Sequence, residues 1–168
     1  NCTFTGNILS CTNNGGNFDN PYGFGGAVFI QGSSNQINSP VFQNCIFSYN
    51  GTDYHGGGAV ALFGSASFLS CTFSDNWVTT SLSNPEPDPM PPAMEAAGAV
   101  LIYGNDYNGD ILFDNCTFSD NYAVEKASDI WVAGSRGIDK LTIDNCTFNA
   151  GTYQPVIRLF NEGNNSTE

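Results

Sequence analysis

The chain is poor in charge, and poorest in positive charge. Of its 168 residues, 16 are Asp or Glu and only four are Lys or Arg, so the formal net charge is -12. Nucleic acid is recognised by clustered Lys and Arg that replace phosphate counterions, and so few bases argue against that class of partner. The same shortage argues against docking on anionic lipid. There is one histidine, His55. No apolar run approaches the roughly 20 residues needed to span a bilayer, so the segment is not expected to insert directly into a membrane. Helical patterning is also nearly missing. Its only trace, Pro85 to Ala97, is crowded with proline, which favours an extended backbone.

What is present is repetition. The phrase Asn-Cys-Thr-Phe stands at Asn1-Cys2-Thr3-Phe4, Asn115-Cys116-Thr117-Phe118 and Asn145-Cys146-Thr147-Phe148, with near copies at Asn44-Cys45-Ile46-Phe47 and Ser70-Cys71-Thr72-Phe73. Four copies reach an Asn three residues after the Phe: Asn7, Asn50, Asn76 and Asn121. A second phrase alternates with the first, at Gly25-Gly26-Ala27-Val28, Gly57-Gly58-Ala59-Val60 and Ala97-Gly98-Ala99-Val100. Repetition of this kind signals stacked supersecondary units that share one continuous core. The shortest interval, Cys45 to Cys71, is 26 residues and gives the bare unit. Longer intervals carry insertions, chiefly 8–24, rich in Asn and Gly, and 77–96, rich in Pro. Both fall at the same junction of the unit and read as loops on one side of a solenoid.

Within a unit the apolar residues alternate, which is strand periodicity. Val100 and Ile102 share one face, Ile111 and Phe113 a second, Cys116 and Phe118 a third. The step from Phe113 to Cys116 is three residues. A side-chain period of two cannot absorb that without a bend. The bend falls on Asp114-Asn115 and recurs before Cys45, Cys71 and Cys146. Asn tolerates left-handed backbone and suits a corner.

These features predict an all-β chain folded as a parallel β-helix of about five rungs, three short strands per rung, with the two insertions as loops. Residues 1–168 form one segment, expected to be an excerpt of a longer protein because it opens inside a repeat, and 161–168 form a frayed polar tail. Equivalent residues stack about 4.8 Å apart. The inward columns are Cys2, Cys45, Cys71, Cys116 and Cys146 beside Phe4, Phe47, Phe73, Phe118 and Phe148, with a further column of Val28, Val60, Val100, Ile130 and Ile157. Asn44, Ser70, Asn115 and Asn145 form a corner ladder with its side chains turned inward.

The chain resembles the repeat family of chlamydial polymorphic outer membrane proteins, in which Gly-Gly-Ala-(Ile/Leu/Val) alternates with Phe-x-x-Asn. Gly25 to Val28 and Gly57 to Val60 match the first motif in full, and Gly98-Ala99-Val100 in part. Phe4 to Asn7, Phe47 to Asn50, Phe73 to Asn76 and Phe118 to Asn121 match the second. The resemblance covers residues 1–121 well. It implies a right-handed, surface-exposed β-helix that acts in adhesion.

Candidate sites are few. Stacked Cys residues read either as disulfides between rungs or as buried free thiols behaving as small hydrophobes. Sequons stand at Asn1, Asn50, Asn115, Asn145, Asn164 and Asn165. Inward-turned Asn115 and Asn145 would be closed to glycans, which leaves Asn164, Asn165 and Asn50 as acceptors. Asp75 with Asp120, and Asp114 with Asp144, hold equivalent places on neighbouring rungs, where two carboxylates could share Ca²⁺. The alternative is a solvated acidic edge, and no cofactor is otherwise expected. Phe29, Leu101 and Trp131 share an outward column with Ala61 and Arg158, an apolar stripe of the kind that packs on another surface. The expected function is a non-catalytic extracellular or cell-surface module. It would contribute to a larger adhesin or fibre through its loops and its stripe, meeting protein surfaces, glycans or copies of itself. The alternative is a fragment of a polysaccharide-active lyase, hydrolase or epimerase, with Asp53, His55 and Asp75 as its best groove.

Overall fold

The computed structural model describes residues 1–9, 25–32, 39–53, 56–79, 96–103, 109–124, 127–133, 138–149 and 155–160. All of its regular structure is strand, and every pairing is parallel. The chain makes successive passes through four sheets. The first pass holds β1 (Thr3–Thr5), β2 (Ile8–Leu9), β3 (Val28–Gln31) and β4 (Val41–Gln43). The second holds β5 (Ile46–Ser48), β6 (Gly51–Thr52), β7 (Val60–Phe63) and β8 (Ala66–Leu69). The third holds β9 (Thr72–Ser74), β10 (Trp77–Val78), β11 (Val100–Tyr103) and β12 (Gly109–Asp114). The fourth holds β13 (Thr117–Ser119), β14 (Tyr122–Ala123), β15 (Ile130–Ala133) and β16 (Ile138–Asp144). Two more strands follow, β17 (Thr147–Asn149) and β18 (Ile157–Phe160). No helix occurs among the described residues, so none there is long and apolar enough to cross a membrane.

Each strand pairs with its equivalents in the passes before and after it, giving the sheets β1-β5-β9-β13-β17, β2-β6-β10-β14, β3-β7-β11-β15-β18 and β4-β8-β12-β16. A full pass therefore carries four strands, where alternation predicts three. The extra strand is the two-residue element after each Phe-x-x-Asn phrase. Two residues carry no visible period, which is why the pattern omits it. It also moves the insertion boundaries, because Ile8–Leu9 and Trp77–Val78 belong to the sheet and not to loops.

The register is the one the repeated phrases demand. Phe4, Phe47, Phe73, Phe118 and Phe148 are paired in file. Their rings stack at 4.8, 4.8, 4.7 and 4.7 Å between centroids. A second file, Phe42, Phe68 and Phe113, stacks at 5.0 Å per step and meets the first edge-on at 5.8, 5.5 and 5.8 Å. Offset stacks and edge contacts each add about 0.5–1.5 kcal/mol beyond the area they bury. Val60, Val100 and Ile130 line the opposite side of the same core, with Val28 and Ile157 half-buried at its two ends.

The chain turns at residues with left-handed backbone. Asn44, Ser70, Asn115 and Asn145 have φ of 53°, 53°, 55° and 49°, at the predicted bend. A second set lies just before each Phe-x-x-Asn asparagine: Gly6 at 66°, Tyr49 at 55°, Asp75 at 54° and Asp120 at 55°. Each three-residue strand from β5 to β13 is thus clamped between two left-handed corners. Gly, Asn and Asp tolerate this conformation, whereas Tyr49 adopts it at a cost.

Glycine does different work in the other phrase. A Cβ on Gly58 would run into the Gly98 carbonyl oxygen of the next pass and come within 2.7 Å of the Trp77 nitrogen. There the backbone itself is in the way, so the closeness of successive passes depends on a missing side chain. Gly6 has a positive φ, but nothing lies within 4 Å of the position where its Cβ would stand. The two substitutions separate steric from conformational cost. Gly58→Ala is expected to destabilise the fold by about 3 kcal/mol or more, and Gly6→Ala by only about 1–2 kcal/mol. Urea denaturation of both variants measures the difference, and equal losses would refute the backbone-contact account.

Candidate functional site

The most heavily bonded polar residues are ones to which sequence reasoning gives no structural role, and one of them, Asn50, is put forward there as a glycan acceptor. They are the last asparagines of the Phe-x-x-Asn phrases. Asn50 and Asn76 are completely buried and Asn121 nearly so. The backbone N–H of Asn7 and its side-chain Nδ2 both donate to Asn50 Oδ1, at 3.1 and 2.9 Å. Asn50 repeats this onto Asn76 Oδ1 at 3.1 and 3.0 Å. Asn76 repeats it onto Asn121 Oδ1 at 3.0 and 2.9 Å. Each amide also donates backwards, from Asn50 to the Phe4 carbonyl, from Asn76 to that of Phe47 and from Asn121 to that of Phe73, at 2.9–3.0 Å. The parity break from Phe47 to Asn50, three residues like that from Phe113 to Cys116, is the sequence signal for this second corner.

The ladder ends on a carboxylate. Asp129 stands where an alanine stands in the Gly-Ala-Val phrases, and it is buried. Asn121 Nδ2 donates to its Oδ1 at 2.8 Å, and the Ser128 hydroxyl donates to its Oδ2 at 3.2 Å. Burial pushes the Asp129 carboxyl up to about 6, against the pull of its bonds from Asn121 and Ser128, and the Asp120 carboxylate adds to the rise.

The corner residues Asn44, Ser70, Asn115 and Asn145 are exposed, not turned inward. Left-handed backbone at each one swings its side chain out while the next residue, Cys, goes in. One ladder bond forms between them on the outside, from Asn115 Nδ2 to Ser70 Oγ at 3.1 Å. The sequons at Asn115 and Asn145 are therefore open to solvent. The Asn50 sequon is 0% exposed and closed to a glycan in the folded chain. Asn164 and Asn165 lie outside the described residues.

Cys45, Cys71 and Cys116 are buried, Cys146 is half-buried and Cys2 is exposed; all five are free thiols. Their sulfurs serve the bend. The Cys71 thiol is shared between the carbonyls of Phe42 at 3.3 Å and Leu69 at 3.5 Å. The Cys116 thiol bridges those of Phe68 at 3.4 Å and Asp114 at 3.5 Å. Contact with the Cys71 sulfur and burial together hold the Cys116 thiol well above its usual range.

Asp75 and Asp120 occupy left-handed corners, the first half-buried and the second exposed, and Asp114 pairs with Asp144 across β12 and β16. Among the described residues, no group of three or more His, Cys, Asp or Glu is placed to hold a metal ion. His55 lies outside the described residues. The apolar stripe is in register, but Leu101 is 4% and Trp131 1% exposed, so neither offers a free surface. They pack with Ala61, Ala97, Ala127 and Ala133, flanked by Phe63 and Tyr103. Parity sends these side chains away from the main core, and the chain then covers them. Phe29, at 36%, remains partly open, and the Arg158 guanidinium sits 5.1 Å over the Trp131 ring.

Comparison with family models, curated proteins and solved structures finds no match.

Two outcomes follow from this geometry. Asp129 holds its proton more tightly folded than unfolded, so stability is greatest below about pH 4 with respect to this group and falls as pH rises to about 6. At about 1.4 kcal/mol per pH unit the loss approaches about 3 kcal/mol. Asp129→Asn removes it, so the variant gains on the wild type from pH 4 to pH 7 in urea melts; parallel pH profiles would contradict the buried-carboxylate account. Second, native alkylation followed by peptide mass mapping is expected to label Cys2 at once and to spare Cys45, Cys71 and Cys116 until the chain unfolds. Labelling of Cys71 in the native protein would show that the thiol file is open.

Proposed function

We propose that the four parallel sheets close into a right-handed β-helix whose coils are the successive passes, and that this scaffold is a non-catalytic, extracellular or cell-surface module of a larger adhesin or fibre. The observation that carries the reading is where the repeated residues go. The Phe, Cys, Asn and Gly of both phrases are spent on stacking one pass on the next. What differs most from pass to pass is the sequence between β2 and β3 and between β10 and β11, inserted at one junction of the unit. A scaffold that holds its interior constant and carries its longest insertions at one edge suits presentation of that edge to a protein or glycan surface. The burial of Leu101 and Trp131 moves the contact function onto the insertions, with Phe29 and Arg158 the exposed members of the stripe.

The test is to replace residues 10–24 and 80–95 with short Gly-Ser links and to measure binding to cell surfaces and to immobilised glycans. The far-UV circular dichroism of the β scaffold is expected to persist while binding is lost. Unchanged binding, or release of new reducing ends from a polysaccharide panel by the intact chain, would overturn the proposal.

A further inference from the structure

The asparagine ladder has a direction. Each internal member accepts two bonds at Oδ1 from the asparagine of the pass before it, and donates one Nδ2 hydrogen back to a Phe carbonyl of that pass. Asn7 spends its N–H and one Nδ2 hydrogen on Asn50. Among the described residues nothing donates to its Oδ1, and its second Nδ2 hydrogen has no carbonyl to receive it. At the other end Asn121 is closed by Asp129. The next phrase, Phe148-Asn149-Ala150-Gly151, has Gly where a further asparagine would stand. One end of the ladder is capped and the other is open.

The core at the open end is also less covered than the core one pass further in. β1, β2, β3 and β4 are each the outermost strand of their sheet on that side. Phe4, Phe42, Val28 and Ile30 are only partly buried, while Phe47, Phe68, Val60 and Leu62 one pass further in are completely buried. Among the described residues the face thus offers a ring to stack on, four strand edges without a partner strand, and an amide lacking one donor and one acceptor. An open row of strand edges is itself a pairing surface.

We propose that the β1–β4 face is a docking surface for one further β-coil carrying a Phe-x-x-Asn phrase. The incoming asparagine donates its backbone N–H and its Nδ2 to Asn7 Oδ1. The incoming Phe stacks on Phe4, and its carbonyl receives the second Asn7 Nδ2 hydrogen. A second copy of this chain does not fit the role through its far end, because Asn121 is already spent on Asp129. The inference rests on the coil stacking proposed above and is independent of any adhesive role.

A copy of residues 44–69 fused directly before Asn1 supplies such a coil, since Asn1 then follows Leu69 as Ser70 does in the natural chain. The graft is expected to raise Tm by at least about 4 °C and to slow exchange of the Asn7 side-chain amide about tenfold or more. The same graft carrying Asn50→Ala within the copy loses most of both effects. Equal behaviour of the two grafts, or no rise in Tm, overturns the docking surface. Asn76→Ala in the ungrafted chain serves as the control. If it leaves Tm unchanged, the stacking reading itself fails; if it lowers Tm while the grafts add nothing, only the docking surface fails.

Discussion

In-register parallel pairing places each side chain about 4.8 Å from its own equivalent in the next pass. At that distance identity is a constraint. Two Phe rings can lie offset and nearly parallel, as the 4–9° interplanar angles along the Phe4 file show. Two asparagines can each be donor and acceptor to the other's neighbour, because an amide carries both functions. Two carboxylates in a buried file can do neither. The scarcity of charge in this chain follows from that arithmetic, as does the appearance, among the described residues, of a buried carboxylate only where the file stops, at Asp129.

The corners obey the same rule. A chain that leaves one sheet for the next must turn without losing its bonds to the passes on either side. Left-handed residues achieve this: the amides of Asn44, Ser70 and Asn115 still donate to Leu69, Asp114 and Asp144 one pass away, at 2.9–3.0 Å. The bend leaves carbonyls beside an apolar interior, and the Cys thiols meet them there. Cysteine is suited to the place because it is small and apolar, yet retains one weak donor. A disulfide would remove that donor from both partners.

Much of this was legible in the order of residues, and the misses are instructive. Alternation placed the Cys, Phe and Val columns on the inside, and the three-residue step before each Cys located the first corner. The same step from Phe47 to Asn50 marked the second corner, but a polar residue at its end drew attention outward. Burial of Asn50 becomes intelligible only when its partner Asn76, 26 residues away, is seen beside it. The two-residue strands were beyond any periodicity argument. For Leu101 and Trp131, parity gave the right direction and the wrong exposure. Direction is a local property of the strand, while cover is supplied by Ala97, Ala127 and other residues whose position depends on the whole stack.

The distinction between stacking residues and interrupting residues bears on how such a chain can change. A substitution in a file is felt by two neighbours, one above and one below, because each ladder amide and each ring is bonded on both sides. That coupling resists drift in the interior and makes the passes alike. Sequence between β2 and β3, or between β10 and β11, lies outside the files and is free of the identity constraint. The fourth pass shows the transition between the two regimes. Its phrase reads Ala127-Ser128-Asp129-Ile130, so the glycine that admits close backbone contact and the alanine beside it have both been replaced. The replacement leaves Asp129 accepting from both Ser128 and Asn121. A departure from the repeat that satisfies the last ladder amide is what the end of the asparagine ladder requires, while β17 and β18 continue the sheets beyond it.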